Sequence, residues 1–290
     1  MFENYTKEKY YHQLMDTLKF TKNFLESHGL HYSGCAGTVL GAVRHHDIIP
    51  WDDDIDLYMP RKDYERLLDM GELFKGENYE LVSQRDRNYN LPFAKIVDKR
   101  TTLWEEEKMP YILGVFVDIF PLDYFPFSDE EIEKIQLQVY KRMSQYCQAC
   151  YHLPTWDWWL CLLRGDTENA RLKLKIVWRH LTKRRLERRH FDYEKWYTSF
   201  DGDKCVCASQ WMGRIFKREW FEDLIECPFG DTTIKIPRDY DSYLRLAYGD
   251  YMQFPPVEQR KSKHYHYYLN LDERLSIEEV RQRIAKSQRQ

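Results

Sequence analysis

An α+β fold, with a mixed sheet flanked by helices and a mostly helical insertion, is what the sequence predicts, on three observations. Residues 54–57 alternate Asp-Ile-Asp-Leu, the period-2 pattern of a half-buried strand. Just upstream, Gly34-Cys35-Ala36-Gly37-Thr38 is a small-residue turn, followed by Val39, Leu40, Ala42 and Val43 at helical spacing. From about residue 129 to 200 the pattern is almost wholly helical. These features divide the chain into a catalytic core over 1–127, a helical insertion over 128–200 and a segment over 201–290 that completes the core.

Composition narrows the classes. A chain of 290 residues can bury one large core or two small ones. The net charge of −3 favours no particular partner, and no nucleic-acid motif accompanies the basic stretches. The longest apolar run near position 160, Trp158–Leu163, falls short of the roughly 18–20 residues of a membrane span. The N-terminus has no apolar signal region, so an intracellular protein is expected, cytoplasmic or held peripherally at the inner membrane face. Seven cysteines without such a signal argue against a disulfide framework. Cys147-Gln-Ala-Cys150 and Cys205-Val-Cys207 are read mainly as buried thiols, with a zinc site as the alternative.

In chain order, residues 7–28 carry Tyr11, Leu14, Leu18, Phe24 and Leu25 at helical spacing and stop at Gly29, a helix followed by a C-cap. His31-Tyr32-Ser33 reads as a short strand entering the glycine turn. Arg44, His45 and His46 follow the helix that the turn opens. After the acidic strand, Pro60 and residues 61–68 read as a turn and an amphipathic helix, and 79–83 and 93–98 as strands. Residues 114–123 form an apolar strand interrupted by Asp118, with Asp123 past Pro121 expected in a turn. Ser128 caps the next helix with an acidic first turn. Trp156-Asp157-Trp158-Trp159 then precedes a basic, Leu-rich run from Arg171 to Arg189, which fits either an anionic membrane surface or a packed helix with a solvated face. Tyr248-Gly249-Asp250-Tyr251 reads as a helix ended by Gly249 with Asp250 in a loop, and Ser276 with Glu279 as the capping box of a terminal helix.

The chemistry sits in the acidic strand. Asp52, Asp53, Asp54 and Asp56 crowd into five positions, and alternation puts Asp54 and Asp56 on one face while Ile55 and Leu57 enter the core. Like charges on one face need a cation between them, and all-oxygen ligands suit Mg²⁺ or Mn²⁺. Asp118, isolated among apolar residues, is costly unless paired or metal-bound. A glycine turn opening a helix presents backbone N–H groups to an anion. Asp52 and Asp53 are expected to be turn or electrostatic residues. An EF-hand is excluded, because its loop needs Gly and Glu where this chain has Leu57 and Asp63.

A phosphate-binding turn followed by a D-x-D strand has the layout of a polymerase-β-like nucleotidyltransferase core. Gly-Thr-Val-Leu-Gly-Ala-Val-Arg-His (37–45), Ile-Ile-Pro-Trp-Asp-Asp-Asp-Ile-Asp (48–56), Val-Asp-Ile-Phe-Pro-Leu-Asp (117–123) and Tyr-Gly-Asp-Tyr-Met (248–252) resemble the LicD family of phosphocholine transferases. More distantly they resemble the fukutin-type transferases. The likeness spans about 30 to 265 and is weakest in the helical middle. It implies a phosphotransferase moving phosphocholine, or a related phospho-alcohol, from a CDP-alcohol such as CDP-choline to a hydroxyl of a surface-glycan precursor, releasing CMP. Lipopolysaccharide and teichoic acid precursors, some lipid-linked, are the implied acceptors. On this reading Asp54, Asp56 and Asp118 are catalytic and hold two ions, and Asp118 helps deprotonate the acceptor. Gly37, Thr38, Arg44, Lys95 and Asp250 bind substrate. A surface salt bridge stays open for Arg44, and Lys95 faces either solvent or a cleft. Two alternatives share the carboxylates: a nucleotidyltransferase using a nucleoside triphosphate on a small molecule or sugar, and a non-catalytic binding protein on the same fold.

Overall fold

A computed structural model describes residues 1–3, 5–86, 89–151, 158–208, 214–262, 264 and 266–288. The chain begins with β1 (Phe2–Glu3), α1 (Lys7–Ser27), β2 (Ser33–Gly34), α2 (Ala36–His45), β3 (Asp56–Pro60) and α3 (Arg61–Asp69). There follow β4 (Tyr79–Val82), β5 (Ala94–Asp98), β6 (Thr102–Trp104) and β7 (Phe116–Phe125). The helical stretch holds α4 (Asp129–Cys150), α5 (Trp158–Leu163), α6 (Thr167–Leu181) and α7 (Lys183–Tyr197). After it come β8 (Lys204–Val206), β9 (Phe216–Lys217), α8 (Glu219–Glu222), β10 (Leu224–Phe229), β11 (Thr232–Pro237), α9 (Tyr240–Tyr248), β12 (Tyr268–Asn270) and α10 (Ile277–Ser287). This is the mixed sheet with flanking helices that the alternation and the helical runs predict.

The central sheet runs β2-β3-β7-β5-β4, with β8 and β9 continuing from β7. β3 and β7 are parallel, while β7 and β5 are antiparallel. Two registers position the acidic residues: Asp56 lies opposite Asp118, and Lys95 lies opposite Asp118 from the other side. Paired positions project to the same face of a sheet, so Lys95, Asp118 and Asp56 form one row across three strands. The row is anchored by the opposite face, where Ile55, Leu57, Ile96, Val117 and Ile119 are wholly buried. Each such side chain contributes about 1.5–3 kcal/mol on leaving water.

α1 packs on this sheet through Leu14, Leu18 and Leu25; Thr6 caps its start, accepting from Lys9 N–H, and Gly29 at φ +60° lets the chain leave it. The capping boxes at Ser128 and Ser276 form as expected. Two local expectations fail. α2 begins at Ala36 rather than after Thr38, so Gly37 lies in its first turn. β7 does not end at Pro121; it runs to Phe125, because β8 pairs with residues 123–125 and Asp123 is buried in a two-pronged ion pair with Arg61. The cysteines are all free thiols, with both Cys147 and Cys150 buried in α4. Trp156 and Asp157 lie outside the described residues.

Candidate active site

A cleft of about 840 Å³ opens over the start of β3, lined by the first turn of α2, by Trp51, Asp52, Asp54 and Asp56, and by residues of 248–264. Of the residues expected at the site, Gly37, Arg44, Asp54, Asp56 and Asp250 line it. Asp118 and Lys95 sit below, at 8% and 2% exposure, and Thr38 is buried beside them.

The carboxylates are placed by backbone. Asp118 N–H donates to Ile55 C=O at 3.0 Å, which carries the β3–β7 pairing one residue upstream and keeps Asp54 on the face of Asp56. Thr38 Oγ1 accepts from Asp56 N–H at 2.8 Å, tying the first turn of α2 to the acidic strand. Gly37 is required for a close approach: a Cβ there would lie 2.7 Å from Asp52 Oδ2. Ala36 is held at φ +45°, a strained conformation for a residue with a side chain, and its N–H donates to Tyr243 Oη at 2.8 Å. The backbone at this turn is thus bent to bring the helix start against Asp52.

Burial and mutual repulsion govern the electrostatics of the carboxylates. Burial raises Asp54 to about 8, with the neighbouring Asp52 carboxylate adding to it. Burial together with Asp54 and Asp118 pushes Asp56 up strongly. Asp118 rises to about 6 by burial, against the restraining pull of Lys95 at 2.7 Å. That ammonium is close but poorly aligned, so Asp118 Oδ1 is buried without a hydrogen bond. A divalent cation fits this set, since it removes the repulsion and takes up an oxygen that the protein leaves unsatisfied.

Lys95 thus lies under the site, on Asp118, with its ammonium over the Phe116 ring at 3.3 Å and Glu105 at 4.0 Å. The expected exposure to solvent or a cleft is corrected: strand register turns it inward. Asp52, Asp53 and His264 complete the acidic cluster around Asp54. His264 Nδ1 lies 2.7 Å from Asp53 and Nε2 lies 3.4 Å from Asp54, and these contacts raise the imidazole to about 9. Asp52, Asp53, Asp54 and His264 offer ligand atoms within 4.8 Å of one another, a set that shares only Asp54 with the expected one. Asp53 is held below its ordinary value despite burial, by His264 and Ser262. Sequence alone gives His264 no role, because nothing local announces a contact across 210 residues of chain (His264 to Asp54).

Residues 29–157 match the family described as LicD/FKTN/FKRP, nucleotidyltransferase domain. The chain is 28% identical over 255 residues to the lipopolysaccharide cholinephosphotransferase LicD of Haemophilus influenzae, covering 86% of this chain and 92% of that protein. Over 93 residues it is 48% identical to the ribitol 5-phosphate transferase FKRP of Mus musculus, covering 32% of this chain but 15% of that protein. The human protein of the same description is 42% identical over the same length.

Proposed function

We propose, for a chain whose residues 29–157 match the LicD/FKTN/FKRP nucleotidyltransferase domain, a metal-dependent transfer of phosphocholine or a related phospho-alcohol from a CDP-alcohol to a glycan hydroxyl. The observation that carries it is the row Lys95–Asp118–Asp56, with Asp54 two residues upstream on the cleft wall. Asp54, Asp56 and Asp118 would hold Mg²⁺ or Mn²⁺, and Asp52 is close enough to join them. When bound, the metal neutralises diphosphate charge and activates the phosphorus toward in-line attack.

The chain's own residues supply the rest. Gly37 lets Asp52 close on the helix start, Arg44 and Asp250 line the cleft where the diphosphate would lie, and Thr38 holds the acidic strand in place. Lys95 keeps Asp118 ionised from beneath. Asp54, which lines the cleft, would receive the acceptor's proton; Asp118, expected to help in that step, lies deeper. The new O–P bond forms as the diphosphate P–O bond breaks, and CMP leaves. The alternative use of a nucleoside triphosphate employs the same carboxylates, and the family relationship favours the CDP-alcohol. A glycan acceptor on a lipid carrier would bring the protein to the inner membrane face, where the basic helices would find a use. No described helix is long and apolar enough to cross a membrane.

The test is product release. With Mg²⁺, the protein is offered CDP-choline, CDP-ethanolamine, CDP-glycerol, CDP-ribitol and ATP in separate reactions. CMP from at least one CDP-alcohol is expected. Pyrophosphate from ATP with CMP from none would overturn the proposal.

A further inference from the structure

The cleft carries a second cluster beside the carboxylates. The Arg44 guanidinium lies 4.8 Å from the Phe254 ring centre and 5.9 Å from that of Trp51. Arg260 approaches the same two rings, at 5.3 Å and 5.6 Å. Two cations thus share one aromatic pair, and Trp51 is the immediate neighbour of Asp52. All four side chains line the cleft.

Among the described residues, their own hydrogen bonds leave most of the donors open. Arg44 donates from Nε to His45 at 3.0 Å and from Nη1 to the Tyr251 carbonyl at 2.7 Å, and Arg260 donates from Nε to the Pro255 carbonyl at 2.9 Å. Among the described residues neither guanidinium forms an ion pair with a carboxylate, unlike the paired Arg61, Arg85 and Arg218. Two unneutralised guanidiniums held close together by stacking are a repulsive arrangement until an anion joins them. Their planar forks match phosphate oxygens, and contact with the rings holds both guanidiniums beside each other in advance.

The same geometry argues against a cationic ligand. A quaternary ammonium needs open aromatic faces. Trp51 and Phe254 already carry two positive charges, and a third would be repelled.

We propose that Arg44 and Arg260, held on Trp51 and Phe254, form an anion subsite that grips the nucleotide-side phosphate of a diphosphate donor. The donor is thereby oriented with its alcohol end away from this aromatic pair. That the diphosphate belongs to a CDP-alcohol rests on the function proposed above; the anion subsite stands on its own geometry.

The test uses the full chain. Calorimetric titration with inorganic pyrophosphate, in EDTA to exclude metal-mediated binding, compares wild type with Arg260→Ala, Arg260→Lys and Lys286→Ala, the last removing a charge from α10. Arg260 is exposed, so its replacement leaves the fold intact. Expected are about a tenfold loss of affinity in Arg260→Ala, a smaller loss in Arg260→Lys, and no change beyond twofold in Lys286→Ala. With the CDP-alcohol that is turned over, KM should rise about tenfold in Arg260→Ala. Pyrophosphate affinity in Arg260→Ala within twofold of wild type overturns the subsite, as does the absence of wild-type affinity. So does choline binding that is weakened by Phe254→Ala. If no CDP-alcohol yields CMP while Arg260→Ala still loses pyrophosphate, the function falls and the subsite stands. CMP release with unchanged KM and pyrophosphate affinity shows the reverse.

Discussion

The strand-borne site and the α4–α7 stretch treat charge in opposite ways. In the first, carboxylates are drawn under the surface: Asp118 and Lys95 are buried and Asp56 is half-buried, in a sheet whose other face buries Ile55, Leu57, Ile96, Val117 and Ile119. In the second, charge stays outside and apolar groups stay with it. Residues 158–200 hold eleven Lys and Arg against five Asp and Glu. Trp178 and Leu181 are 67% and 76% exposed, while α6 buries only Ala170 and Ile176. Buried like charges reduce stability unless a ligand compensates them, and an exposed apolar-basic face gains nothing from folding alone. The proposed function gives each region a different partner, a small cation for the carboxylates and an anionic surface for the basic helices.

Asp56→Asn is the hardest test of the first half. Turnover should fall about ten-thousandfold, a loss of about 5.4 kcal/mol of transition-state stabilisation. Without metal the variant should nonetheless melt about 2–4 °C higher than wild type, because it removes a carboxylate disfavoured by burial and by the repulsion of Asp54 and Asp118. Mg²⁺ should raise the melting temperature of wild type but not of the variant. A variant that melts lower in EDTA, or still responds to Mg²⁺, would break the contrast.

The contrast also explains which residues sequence alone exposes. Alternation and an isolated charge are local signals, so Asp54, Asp56 and Asp118 are legible, as are the helices with their caps at Ser128 and Ser276. Lateral register is not a local signal. The pairing of Lys95 with Asp118 depends on which residue β5 sets opposite β7, and the contact of His264 with Asp53 and Asp54 depends on the return of the chain after β11. Asp123 escapes a local reading for the same reason: Pro121 suggests an end, whereas the partner Arg61 and the neighbouring strand β8 prolong β7. Asp52 shares the parity of Asp54, but only the missing Cβ of Gly37 brings it to the cleft.

Arg61 joins the two regions. Its fork holds Asp123 of β7 at 2.7 and 3.1 Å, and Nη1 reaches Glu194 of α7 at 3.3 Å. Arg61→Ala strands a buried carboxylate and should cost about 3–5 kcal/mol in urea unfolding. If the helical stretch folds independently of the sheet, the same variant will instead give two transitions rather than one weaker one.

His190, in α7, reports on acid stability. Burial, with Arg142 and Arg61 nearby, lowers its imidazole to about 4 from an ordinary 6.5. The unfolded chain therefore takes up the proton first, and the contribution of neutral His190, complete above about pH 6.5, is lost as pH falls toward 4. His190→Phe keeps an aromatic ring against Tyr146 and does not titrate. Between pH 7 and 4.5 it should lose less stability than wild type, by up to about 3 kcal/mol. Parallel pH curves would show that His190 is not held neutral.

The smallest effect concerns the outer face. Arg184, Arg185, Arg188 and Arg189 are exposed on α7, and α6 ends in exposed Trp178 and Leu181. Near an anionic bilayer each basic side chain contributes about 1 kcal/mol at low salt, a strength that decays within a Debye length. Arg184→Gln combined with Arg185→Gln should therefore weaken partition onto phosphatidylglycerol vesicles about thirtyfold at low salt, with little change at 1 M salt. Trp178→Ala should lower partition at both salt concentrations, because its contribution is apolar area rather than charge. Because these side chains are exposed, both variants should unfold within about 0.5 kcal/mol of wild type. Equal vesicle binding by wild type and the double variant would leave the basic face as a solvated surface, and the exposed tryptophan would then need a partner other than lipid.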